Sequence, residues 1–166
     1  VTEKPRVVIF GCGDQTRVDQ AVGPRLLRQM AGEYSAVVTC IEDEQLRHEH
    51  ALLMENADLL LFIRSCSTAP SPFLFREALA SPAMTPHPTP LDPESVLSTF
   101  QQIRDRQPPP AFEVVIGGEH LTLRSGLWGE TSEQIAEVLS FIRSLLVVPR
   151  ASFWRSRITP PQPATV

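Results

Sequence analysis

The sequence predicts an α/β protein: a three-layer α/β/α sandwich in which a mostly parallel, twisted sheet lies between helices. Three observations lead there. Four short runs rich in β-branched and apolar residues, 6–10, 36–41, 58–63 and 112–116, are continuous rather than alternating, as strands covered on both faces should be. Between them lie segments whose apolar residues recur at helical spacing. Strands that alternate with helices in this way build a parallel sheet with helices on its faces.

The first run ends at Phe10, and Val22, Leu26 and Met30 then fall four apart, with Pro24 near the start and Gly32 as a stop; this predicts the first helix. After the second run, residues 43–55 carry Leu46, Leu53 and Met54 among polar neighbours and predict another helix. After the third, residues 67–90 hold Pro70, Pro72, Pro82, Pro86, Pro88 and Pro90. That spacing forbids a long helix or a central strand and leaves an excursion with room for one helix at 73–79.

Asp92 followed by Pro93 reads as an N-cap with proline at the first helical position, and Val96, Leu97, Phe100 and Ile103 continue at helical spacing. Thr131-Ser-Glu-Gln134 matches a capping box that starts a last helix with the stripe Ile135, Val138, Ile142 and Leu145. From Pro149 the chain turns rich in proline and arginine, with Trp154 among Arg150, Arg155 and Arg157. The expected organisation is one domain at 1–148 and a mostly mobile tail at 149–166.

The 166 residues, 42% of them hydrophobic, suit a single domain with a sizeable core. A net charge of −4 offers no electrostatic basis for binding nucleic acid or an anionic membrane. The opening Val-Thr-Glu-Lys-Pro-Arg lacks the features of a signal peptide, and 58–63 is too short for membrane insertion, so a soluble cytoplasmic protein is expected. Cys12, Cys40 and Cys66 are odd in number and form no CxxC pair, which predicts reduced thiols packed in or beside strands.

In an open parallel sheet, ligands bind outside the carboxyl ends of the strands. That rim should collect residues 11–20, residues 64–70 and part of the proline-rich excursion, so a site built from Asp14, Asp19, Gln20, Arg64 and His87 is geometrically sensible. Gly11-x-Gly13 is not a dinucleotide loop, because the sixth position holds Thr16 where close helix packing needs glycine, and no Walker pattern exists. His48 and His50 lie two apart, so on a helix they point to nearly opposite sides and cannot chelate together; a solvated face is expected for them, and the same caution covers His120. Ser65-Cys66-Ser67 offers nucleophiles at a strand end, but no base stands near in sequence.

The first strand, the stretch GCGDQTRVDQAVGPRLL, the third strand end and a later histidine together resemble the hydrogenase maturation endopeptidases. Gly11, Gly13, Asp14, Asp19, Gln20, Ala21, Val22 and Gly23 stand at the spacing of that family's opening pattern, and the resemblance extends over most of residues 6–146. It implies removal of a C-terminal extension from a nickel–iron hydrogenase large-subunit precursor, with nickel recognised by three side chains. Carried over, the metal positions are Gln20, Arg64 and His87; Asp14 replaces an asparagine, and Asp19 keeps the first acid, which makes these two aspartates the catalytic candidates.

Two of the three metal positions thus depart from the pattern. Gln20 supplies a neutral oxygen, and Arg64 a permanent positive charge with no lone pair to give. Arg64 is expected instead to pair with Asp19 or with a carboxylate on a partner. Three functions follow: a maturation endopeptidase with an altered site, a non-catalytic chaperone or binding protein in hydrogenase assembly, and an anion or small-ligand binder on the same scaffold.

Overall fold

The structure is a computed structural model that describes residues 4–12, 22–30, 37–66, 69–70, 72–81, 91–117 and 128–159, with backbone alone for 22–25 and 128–132. Five strands form one sheet: β1 (Val7–Cys12), β2 (Val38–Asp43), β3 (Leu59–Cys66), β4 (Phe73–Ala78) and β5 (Ala111–Gly117), in the spatial order β2-β1-β3-β5-β4. The first three and β5 pair in parallel, and β4 runs antiparallel along the edge of β5. The predicted mostly parallel sheet is therefore present, and each predicted strand extends further toward its carboxyl end than the apolar run alone indicated.

Alternate residues of every strand feed two separate cores. Val7, Ile9, Leu61, Ile63, Phe112 and Val114 pack against α1 (Val22–Met30), α3 (Trp128–Val147) and α4 (Ala151–Ser156). On the opposite face, Val8, Phe10, Leu60 and Phe62 pack against a 3-10 helix (His48–Met54) and α2 (Pro93–Arg104). Burial on both faces is why these strands read as unbroken apolar runs. The start of α2 matches its prediction: the Asp92 side chain accepts a hydrogen bond from the Ser95 N–H at 2.8 Å, and Pro93 follows. Its last turn differs, because Ile103 is half exposed rather than part of the buried stripe.

Several expectations are overturned. Residues 73–79 are not a helix but mostly the edge strand β4, since Phe73 and Phe75 project to one face while Leu74, Arg76 and Ala78 project to the other. Phe75 is fully buried and stacks on Phe112 with ring centroids 5.6 Å apart, a contact that only the extended pairing provides. Residues 43–55 form a short 3-10 helix instead of a full α-helix, because β2 runs on through Asp43. The helix predicted from Thr131 starts at Trp128, so the capping-box residues lie inside it and Gln134 serves another purpose.

Of the segment expected as a mostly mobile tail, residues 149–159 pack against the sheet and its helices. Trp154 is fully buried against Phe112, and its indole Nε1 donates to the Leu145 and Val148 carbonyls at 2.9 and 3.1 Å. Arg155 pairs with Glu77, and the Thr159 N–H donates to the Phe75 carbonyl while the Phe75 N–H donates to Thr159 Oγ1. The segment thereby covers the outer edge of β4, which would otherwise present unpaired backbone groups.

Candidate functional site

The order β2-β1-β3 places the strands that follow β1 in sequence on opposite sides of it, so the chain reverses direction across the sheet between β1 and β3. The crevice outside the carboxyl ends of those two strands is where such sheets bind ligands. Its described walls are Gly11 and Cys12 at the end of β1, Ser65 and Cys66 at the end of β3, Asp43 at the end of β2 and Gly117 at the end of β5. Of the residues expected to form the site, Asp14, Asp19, Gln20 and His87 lie outside the described residues, as does His120. Arg64 is described.

Arg64 stands on the face of β3 that carries α2. Its register partner on β5 is Val115, yet its Nε donates to Oε2 of Glu113 at 2.8 Å, the diagonal neighbour on the same face. Glu113 has no solvent exposure, and its other oxygen, Oε1, accepts from Nε of Arg76, which lies directly opposite on β4. Although partial burial works against its charge, the Glu113 carboxylate and the more distant Glu94 hold the Arg64 guanidinium protonated above its usual range. The partner given to Arg64 is thus a carboxylate of its own sheet.

Glu113 was not singled out in the sequence, although a signal was present. An acid within the apolar run Phe-Glu-Val-Val-Ile occupies a strand position that is buried, and a buried carboxylate needs cationic partners. Which arginines supply them depends on the sheet order. A metal centre is not supported at this position, because a protonated guanidinium has no lone pair to offer a cation. Among the described residues, no group of three or more His, Cys, Asp or Glu side chains is arranged to hold a metal ion.

A second cluster forms at the ends of β1 and β2. His50 is buried, contrary to the expected solvated face, with its ring edge-on to Phe10. Its Nδ1 accepts from the Arg47 N–H at 2.9 Å, so Nε2 carries the proton and donates to Asp43 Oδ2 at 3.2 Å. His48 points elsewhere, with Nδ1 2.7 Å from Thr99 Oγ1 on α2, so the two histidines do not converge. The other Asp43 oxygen accepts from the Glu44 N–H at 2.7 Å, which leaves this carboxylate committed to the turn out of β2. Cys12 beside it is a poor nucleophile: burial and then the Asp43 charge push its thiol up to about 12, against a smaller opposing effect of the Asp43 N–H.

At the end of β5, close packing replaces chemistry. A Cβ on Gly117 would fall on the Ala69 carbonyl, so only glycine lets the segment after β3 cross there. Gln134 from α3 clamps the crossing: its Nε2 donates to the Pro72 and Gly117 carbonyls, and its buried Oε1 has no hydrogen-bond donor among the described residues.

These features define an α/β protein with a doubly covered, mostly parallel sheet and a candidate site at the crevice between β1 and β3. Among solved structures, it is similar to the hydrogenase maturating endopeptidase HybD from E. coli, at 18% identity and a TM-score of 0.56 over 84% of this chain and 93% of that one. It is also similar to the NiFe hydrogenase maturation protease HycI from Thermococcus kodakarensis (18% identity, TM-score 0.60, 87% of this chain and 94% of that one). A hydrogenase 2 maturation peptidase from a Thaumarchaeota archaeon matches at 17% identity and a TM-score of 0.58, over 86% and 99% of the two chains. The chain therefore has the fold of the hydrogenase maturation proteases. No protein-family model and no curated protein matches the sequence.

Proposed function

We propose that this chain is a divergent member of the hydrogenase maturation endopeptidases and acts in the cytoplasm on a nickel–iron hydrogenase large-subunit precursor. The observation that carries the reading is that the glycine-and-acid pattern from Gly11 to Gly23 begins at the carboxyl end of β1, an interior strand paired with β2 and β3, in a fold that aligns over nearly the whole length of several maturation proteases. In the sequence, Asp14 and Asp19 hold the asparagine and first-acid positions of the pattern that resembles the family's, shortly after the end of β1. Nickel belongs to the precursor in this reading, with His87 the one retained side chain able to meet it. Among the described residues, no helix is long and apolar enough to cross a membrane.

A second reading, recognition of the precursor without cleavage, is favoured by the engagement of Arg64 with Glu113. A carboxylate would lower the cost of holding a divalent cation at this position, and the guanidinium raises it. Incubation of the purified chain with nickel-loaded precursor, followed by intact-mass measurement, tests both. Loss of the C-terminal extension supports the peptidase. A stable complex of uncleaved precursor supports the chaperone, and neither cleavage nor complex formation refutes the proposal as a whole.

A further inference from the structure

Beneath the first turn of α2, one buried carboxylate fixes two arginines. Each oxygen of Glu113 takes a single guanidinium through its Nε, from Arg64 on one side and Arg76 on the other. A guanidinium has five N–H groups, so each arginine retains the four on its Nη nitrogens, and no described residue accepts from them. Both side chains remain partly open to solvent, 36% exposed for Arg64 and 44% for Arg76, although the acid that holds them has no exposure. Two positive charges against one negative leave this trio at +1.

The nearby charge that balances it is Glu94 in the first turn of α2. Partial burial, together with Glu113 and Asp92, pushes its carboxyl above the usual range. It acts on both arginines through space and donates or accepts no side-chain hydrogen bond with either. Asp92, the other acid here, is occupied in capping α2. The arrangement is two preoriented forks whose Nη donors meet no acceptor among the described residues, with a weakly engaged acid beside them. Planar forks of this kind match a carboxylate, and fixing them beforehand removes much of the ordering cost of binding one.

We propose that Arg64 and Arg76 form a clamp for a carboxylate of a partner polypeptide, which takes the open Nη N–H groups and supplants Glu94 as their counter-charge. The clamp stands on this geometry alone and does not depend on a role in hydrogenase maturation. The test titrates the full chain, at constant ionic strength, with three short peptides: capped Gly-Glu-Gly, capped Gly-Gln-Gly and Gly-Gly-Gly with a free carboxyl terminus. The arginine Nε–Hε resonances are followed by NMR.

Saturable movement of the Arg64 and Arg76 signals with one or both carboxylate peptides, and none with the capped glutamine peptide, is the expected result; the first and third peptides distinguish a side-chain from a terminal carboxylate. Glu94→Gln should tighten binding several-fold by removing the competing charge, and Arg76→Gln should weaken it by about tenfold through loss of one charge-assisted fork. Should Arg76→Gln fail to fold, Glu94→Gln still decides, since that side chain makes no hydrogen bond to the trio. Equal movement with all three peptides, or binding that Glu94→Gln leaves unchanged or weakens, overturns the proposal.

Discussion

The Nε of Arg64 lies 2.8 Å from Oε2 of Glu113, a carboxylate sealed from solvent between two arginines. Arg64 holds the position near the end of β3 where the sequence resemblance implies a metal-binding acid, and it puts a guanidinium there, tied to an acid of β5. The consequences are separable by experiment.

Removing the acid should cost more than removing either arginine. Glu113→Gln takes the anion from both guanidinium groups at once, and because each is partly open to solvent the cost should fall below the about 3 kcal/mol of breaking a fully buried pair. Arg64→Ala or Arg76→Ala leaves Glu113 with one partner and should cost less. Urea denaturation of the three variants gives the ranking, and a Glu113→Gln variant as stable as the parent would show that the trio contributes nothing.

The isolated protein should not bind nickel tightly, because Arg64 offers no lone pair and carries like charge. Calorimetric titration with nickel should show no site of micromolar or better affinity. Heat release fitting such a site would require that ligands other than Arg64 dominate.

Trp154 should prove necessary to the fold rather than an ornament of the tail. Trp154→Ala empties a fully buried site against Phe112 and should destabilise by about 3–5 kcal/mol. Trp154→Phe keeps most of the volume and loses the indole bonds to Leu145 and Val148, a smaller cost of about 1–2 kcal/mol. Chain truncation after residue 148 should fall at or beyond the alanine variant in thermal denaturation.

Gly117→Ala should destabilise by about 2–3 kcal/mol, because its Cβ meets the Ala69 backbone rather than a side chain that can swing away. If the melting temperature is unchanged, the crossing at 69–72 has slack that the packing does not show.

The thiol of Cys12 carries a pH signature. Its folded-state value is raised from 9.0 to about 12, so the fold favours the neutral thiol. The stability this contributes is complete below about pH 9 and is lost as pH rises from there toward 12, where the folded protein also ionises. Denaturation midpoints of the parent should fall across that window, and those of Cys12→Ala should fall less. At neutral pH, iodoacetamide should modify the exposed Cys40 before Cys12.

Much of the fold was legible because it is written locally. The apolar runs that became β1, β2, β3 and β5, the stripe of α1, and the Asp92-Pro93 start of α2 each depend on residues within a few positions of one another. The strand character of 73–78 is not legible locally, because it rests on a neighbour, β5, more than thirty residues away. The same holds for His50, whose burial follows from Phe10 and from Asp43 at the end of another strand.

The sequence by itself determined the α/β class, the position of the glycine-and-acid pattern at the end of the first apolar run, and the presence of an arginine where the resemblance calls for an acid. Only the tertiary structure decided what that arginine touches, that Gln134 clamps the end of β5, and that the segment around Trp154 closes the core and covers an edge strand. The physical reason is range. Helix and strand periodicities are set by neighbours along the chain, whereas the partner of a buried charge or of an indole N–H is set by which strands lie side by side, and that order is a property of the assembled sheet.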